Sequence, residues 1–168
     1  MANPTMTLIG SPIVVGSGGA SSITFSSIPQ TYTDLLIKCS VRGSLSSNYG
    51  GLISFNGSGS GFTNKYLEGS GSSVVSSSYA QFIFAEVSSS QTSNTFTNTE
   101  VYIPNYTSSN YKSVSSDSVT ENNSTLSYAE LTANLWSNTA AITSISITAS
   151  TTSWVQYSTF YLYGISNS

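Results

Sequence analysis

The sequence predicts an all-β protein, an antiparallel β-sandwich of the jelly-roll kind, and three observations lead there. Apolar residues recur on every second position in segment after segment, as strands with one buried and one wet face require. The segments are short and punctuated by Gly, Ser, Asn and Pro. No stretch carries a convincing helical period, and no repeat of fixed length appears. About eight to ten short strands in a chain of this length describe two packed layers. A lipocalin-like barrel is the less favoured alternative, because the Ser/Gly loops differ so much in length.

Met6 to Val15 reads as one or two short strands broken at Gly10-Ser11-Pro12, either an edge strand or a docking arm. Ile23 and Phe25 alternate in the next strand, which Ile28-Pro29 ends. The clearest pattern follows. Leu35, Ile37, Cys39 and Val41 point one way, while Asp34, Lys38, Ser40 and Arg42 point the other, with Leu36 the exception. Burying those four side chains yields roughly 1.5–3 kcal/mol each, while fixing each backbone residue costs about 1–2, so the strand needs a sheet and a facing layer.

Gly51 to Asn56 places Ile53 and Phe55 on one face; Asn56-Gly57 then opens a Gly/Ser/Asn segment, expected to be the longest loop and to reach about Ser78. Tyr79 to Val87 is expected to be one strand, and Val101 and Ile103 point inward in the next until Pro104 stops it. Ser108 to Ser118 is expected to be a weak, edge-like strand at most. Leu126 to Trp136 contains helix-favouring residues, but Leu131, Ala133 and Leu135 alternate, which selects a strand. Ile145, Ile147 and Ala149 repeat the period. In the last strand Phe160 and Leu162 share one face, and Tyr157, Tyr161 and Tyr163 form a tyrosine ladder on the other. The division expected is an N-terminal strand or arm over residues 1–20 and one sandwich domain over 21–168.

Composition bounds the function. Charged residues are 7% and Ser plus Thr about a third, so the surface is expected to be hydroxyl and amide. Net charge is −3 with four cations, Lys38, Arg42, Lys65 and Lys112, too few for a phosphate-neutralising stripe, so no nucleic-acid partner is expected. Apolar runs fall far short of the roughly twenty residues that cross a bilayer, and no signal-peptide pattern is read at the N-terminus; synthesis in a cytoplasm and no membrane partner are expected. The single cysteine, Cys39, excludes an internal disulfide and is read as an inert, reduced thiol of the core.

No histidine is present, which removes the usual general base and the commonest metal ligand. A carboxylate pair of the glycosidase kind could still be drawn from Asp34, Glu68, Glu86, Glu100, Asp117, Glu121 and Glu130, but these stand singly in the sequence and read as solubilising residues. No nucleotide, zinc or calcium motif occurs, so no catalytic, cofactor or metal site is expected. Sequon matches at Asn105, Asn122 and Asn123 are given no weight in so Asn/Ser/Thr-rich a chain. Trp136, Trp154 and the eleven tyrosines, set among neutral hydrogen-bonding groups, suit a sugar-binding surface or a protein interface, the alternative being that most of these rings simply fill a sandwich of modest aliphatic content.

The stretches IPQTYTDLLIKCSVRG, GLISFNG, VYIPNYTSSNYKSV, LWSNTAAITSISI and STFYLYGI together resemble a β-rich domain of tailed-bacteriophage virion proteins, of the head-decoration, tail and fibre kinds, over about Ile23 to Ile165. GFTNKY departs from the more charged loop expected after FNG. The resemblance implies a structural virion protein. The expectation is therefore a capsid decoration or cement protein, made in the host cytoplasm and carried on the virion, touching the major capsid protein or other virion proteins. A homo-oligomer, taken as a trimer, is expected because so few charges guard the sheet edges. The alternative is a tail or fibre receptor-binding module for host glycans. Candidate interface residues are Tyr157, Tyr161, Tyr163, Trp136, Trp154, Lys38 and Arg42.

Overall fold

The structure, a computed structural model, describes residues 5–46, 50–84, 89–123, 127–150 and 153–166. Among these, thirteen strands follow the sequence alternation: β1 (Met6–Leu8), β2 (Ile13–Val14), β3 (Ser22–Phe25), β4 (Asp34–Val41), β5 (Gly51–Phe55), β6 (Phe62–Gly69), β7 (Val74–Tyr79), β8 (Phe82–Phe84), β9 (Thr97–Ile103), β10 (Lys112–Thr120), β11 (Tyr128–Trp136), β12 (Ile145–Ala149) and β13 (Thr159–Ile165). They form two antiparallel sheets, ordered β1-β13-β4-β9-β10-β11-β6-β7, with β2 also on β13, and β3-β12-β5-β8.

The jelly-roll order is visible once two hairpins are set aside. Strands β1/β2, β13, β4 and β9 make one four-stranded layer and β3, β12, β5 and β8 the other, with the chain crossing between layers as a jelly roll does. Hairpin β6–β7 is inserted between β5 and β8, and hairpin β10–β11 between β9 and β12. The insertions pair with each other through β11 and β6, so they widen the first layer by four strands while the second stays at four.

Two layers share one core. Leu35, Ile37, Cys39 and Val41 are buried from β4, beside Phe160 and Leu162 of β13 and Val101 and Ile103 of β9. Ile53, Phe55, Ile145, Ile147, Phe82 and Phe84 face them from the second layer. Under the widened part the inward positions turn polar. Thr97 and Thr120 share a hydrogen bond (2.7 Å), as do Thr99 and Ser118 (2.9 Å) and Ser116 and Thr132, and Asn64 Nδ2 donates to Asn134 Oδ1 (2.7 Å). Pairing is what lets most of these groups stay buried, since an unpaired one costs about 1–3 kcal/mol. Asn64 donates to Asn134, while its own Oδ1 accepts no hydrogen bond among the described residues.

Several expectations are corrected. The segment from Asn56 to Ser78 is no long loop: Asn56 and Gly57 take positive φ (52° and 74°) in a tight turn closed by Phe55 and Ser58, and the rest builds β6 and most of β7. Hydroxyl-rich strands lack the apolar period that betrays a strand, and they are stabilised here by their neighbours. Tyr79 to Val87 is not one strand, since β7 ends at Tyr79 and β8, in the other sheet, begins at Phe82; residues 85–87 of that expectation lie outside the described residues. The weak edge strand expected at Ser108 to Ser118 is a nine-residue interior strand, β10, with Val114, Ser116, Ser118 and Thr120 inward. In β11 the alternation has the opposite sense. Thr132, Asn134 and Trp136 are buried and Leu131 is 58% exposed, because the inner face there is the polar one; Leu126 lies outside the described residues.

Candidate interaction face

The candidate residues divide between interior and surface. Trp136 and Trp154 are buried, which removes both from any exposed surface. Trp136 lies edge-on to Phe55 (5.3 Å between centroids), and Trp154 stacks on Phe84 (6.2 Å) while its Nε1 donates to the Ile147 carbonyl (3.3 Å). Both rings pack in the centre of the sandwich among buried Ile, Leu and Phe side chains.

Arg42 is likewise corrected from the wet face to the interior, where it is 8% exposed. Its Nη1 donates to the carbonyls of Thr92 (2.8 Å) and Thr95 (2.9 Å) and to Thr95 Oγ1 (3.2 Å), and its Nη2 to the carbonyls of Gln91 (3.0 Å) and Ser89 (3.3 Å). The guanidinium thus gathers the 89–95 loop around one cation, and burial pulls its pKa down. Lys112 does the same elsewhere. Its Nζ donates to the carbonyls of Ser108 (2.7 Å), Asn110 (2.7 Å) and Ala140 (2.9 Å), 5.8 Å from the Trp136 ring centroid, with burial again lowering its pKa.

Tyr161, Tyr163 and Lys38 come together on the outer face of the larger sheet. Cross-strand register aligns Tyr161, Lys38, Glu100 and Asp117 in one row and Tyr163, Leu36, Tyr102 and Ser115 in the next. The ladder has two rungs, Tyr161 and Tyr163, stacked at 6.4 Å. Tyr157 is not a third: it precedes β13 at a positive φ of 73° and projects, 67% exposed, from the loop. Lys38 Nζ meets Glu100 Oε1 at 2.5 Å, and that hydrogen bond and charge raise the lysine pKa. With both partners about 40% exposed, such a pair contributes no more than about 1 kcal/mol. Tyr102 Oη donates to Asp34 Oδ2 (2.8 Å), which raises the phenol pKa, while the other Asp34 oxygen accepts the Asn105 amide (2.8 Å). Farther along, Leu67, Val74, Val119 and Leu131 are exposed on the same face.

Register also pairs carboxylates that the sequence scatters. Glu100 stands opposite Asp117 on the outer face, and Glu68 opposite Glu130 on the inner face of the widened sheet. Burial raises the Glu68 pKa. Nearby, the rings of Tyr66 and Tyr79 stack 5.3 Å apart, and Tyr66 is pushed up to about 12, first by its hydrogen bond to Tyr79. Residues 68 and 130 are joined only through the β6–β11 pairing, so no spacing in the chain announces them; Glu86, also a candidate, lies outside the described residues.

Among the described residues no group of three or more His, Cys, Asp or Glu side chains could hold a metal ion. A shallow recess of about 220 Å³ on the second sheet is lined by Leu52, Ser54, Gln81 and Thr148 among others, a neutral surface. Comparison with protein-family models, with curated proteins and with solved structures returned no match.

Proposed function

We propose that this chain is a non-catalytic structural protein of a tailed-phage virion, a decoration or cement protein seated on the outer shell as a homo-oligomer, touching the major capsid protein or another virion protein. The resemblance of its strands to virion domains supports the reading. The observation that carries it is the outer face of the larger sheet, where Tyr161, Tyr163, Leu36 and Tyr102 surround a lysine already neutralised by Glu100. The patch around Tyr161, Tyr163, Leu36 and Tyr102 can be covered by a neighbour without stranding Lys38 or Glu100, which neutralise each other. Asp117, next in the row, is left for a cation of that neighbour or for the solvated rim. Co-sedimentation with emptied phage heads tests it: the purified protein is expected to saturate the heads at a fixed ratio, and Tyr161→Ala/Tyr163→Ala to lose that binding. Failure of the parent protein to bind, or full binding by the double variant, overturns the reading.

A second reading, a receptor-binding glycan module, draws on Glu68 and Glu130 beside the Tyr66–Tyr79 stack. The two tryptophans, being buried, play no part in it. Selective binding on a glycan array, lost in Glu68→Gln or Glu130→Gln, is the result that would replace the first reading with this one; glycan cleavage lost in the same variants would indicate a depolymerase.

A further inference from the structure

We propose that β7 is a self-association edge, pairing antiparallel with β7 of a second copy about a two-fold axis to join the two large sheets into one. The inference stands on the edge itself and is independent of the virion reading.

The four sheet edges are unequal. β1 and β8 are three residues long and β3 four, and the β1/β2 edge is interrupted at Gly10-Ser11-Pro12. β7 is six residues long, ends the larger sheet, and is exposed at every position. Its sequence VVSSSY contains no charge, no proline and no glycine, so it lacks the features by which monomeric proteins protect an edge. Its neighbour β6 pairs with it throughout, and among the described residues no strand pairs with its other side.

The side chains identify the occupant. Val74 is 74% exposed on the outer face, whereas Val75 and Tyr79, of opposite parity, are 42% and 47% exposed on the inner face. A partner lying on one face would cover only one of these sets. An added strand flanks both at once, and its backbone satisfies the free edge. A second copy fits because antiparallel self-pairing sets residues of equal parity opposite one another, keeps both apolar sets on their own faces, and opposes no charge to itself. The two-fold closes the assembly, since the opposite edge of each sheet is the broken β1/β2 edge, and fibre growth does not follow. The result is a dimer, where the sequence suggested a trimer.

The test compares the parent chain with Val74→Lys/Ser76→Lys and with Val74→Glu/Ser76→Glu by sedimentation equilibrium. Both positions are exposed in the protomer, so circular dichroism and melting of the protomer serve as controls on folding. The parent is expected to be a dimer, each charged variant a monomer with an unchanged spectrum, and an equimolar mixture of the two variants a heterodimer, as opposite charges then face each other. A monomeric or trimeric parent overturns the proposal, as does a dimer that survives in both charged variants or a mixture that stays monomeric. Binding to heads is a separate measurement, and either result can fail without the other.

Discussion

Replacing Arg42 by Met tests whether a buried cation organises one end of the sandwich. The change keeps the apolar stem and removes every guanidinium donor, four of which serve backbone carbonyls between Ser89 and Thr95 at 2.8–3.3 Å. Ser89 and Thr92 are exposed and Thr95 is half-buried, so water can replace most of those bonds at about 0.5–1.5 kcal/mol each. Gln91 is 7% exposed, and its stranded carbonyl costs a further 1–3 kcal/mol or so. The combined loss is about 2.5–7.5 kcal/mol, a large share of the roughly 5–15 kcal/mol that stabilises a domain. At about 2–4 °C per kcal/mol for a chain of this size, Tm falls by roughly 5–30 °C. Thermal unfolding followed by circular dichroism reads the magnitude, and hydrogen exchange locates it, with amide protection expected to fall first around residues 89–95. Arg42→Lys, which keeps the charge but not the fork, recovers less than half. A Tm within about 2 °C of the parent with the loop still protected would refute the reasoning.

Lys112→Met removes the ammonium held by Ser108, Asn110 and Ala140 and is expected to cost about 2–4 kcal/mol, seen as a lower urea midpoint with an unchanged m-value. Gly51→Ala places a Cβ 2.3 Å from Phe84 Cζ and 2.8 Å from Trp154 Cη2, both rings buried, so overpacking of about 3 kcal/mol is expected by the same denaturation assay. Burial pushes the Cys39 thiol up to about 12 from 9.0, against a smaller opposing effect of Thr99. The thiol is protonated in both states below pH 9; above it the unfolded chain loses the proton and the folded chain does not. The cysteine therefore contributes a decline of about 1.4 kcal/mol per pH unit between pH 9 and 12, which should be absent from the slope of Cys39→Ala, and a thiol reagent should label the native protein only as fast as it opens.

Where burial followed apolar alternation, the fold was legible. Leu35, Ile37, Cys39 and Val41, Ile53 with Phe55, Val101 with Ile103, and Ile145 with Ile147 all point inward as their period demands. The widened half of the larger sheet was not legible, because Asn64, Ser116, Ser118, Thr132 and Asn134 interrupt its inward apolar positions and look like loop residues until cross-strand hydrogen bonds join them. The same blind spot hid the Glu68–Glu130 opposition, which exists only once β6 is a strand. Tyr161, Tyr163 and Lys38 were each readable as outward-facing from the alternation within their own strands, but that β13 lies beside β4 and joins them into one surface was not. Arg42, Trp136 and Trp154 were misplaced for a common reason: composition marks a polar or aromatic residue as available, whereas burial depends on whether its hydrogen-bonding atoms find partners or its ring fills a gap.

Direct imaging of virus particles by electron cryo-microscopy tests the attachment role most closely, through a comparison of heads assembled with and without this chain. Added density is expected at fixed, symmetry-related sites on the outer shell, fitted by the two-sheet body with Tyr161 and Tyr163 turned toward the neighbouring protein. Heads identical in both preparations, or density that leaves this face open to solvent, would contradict that role.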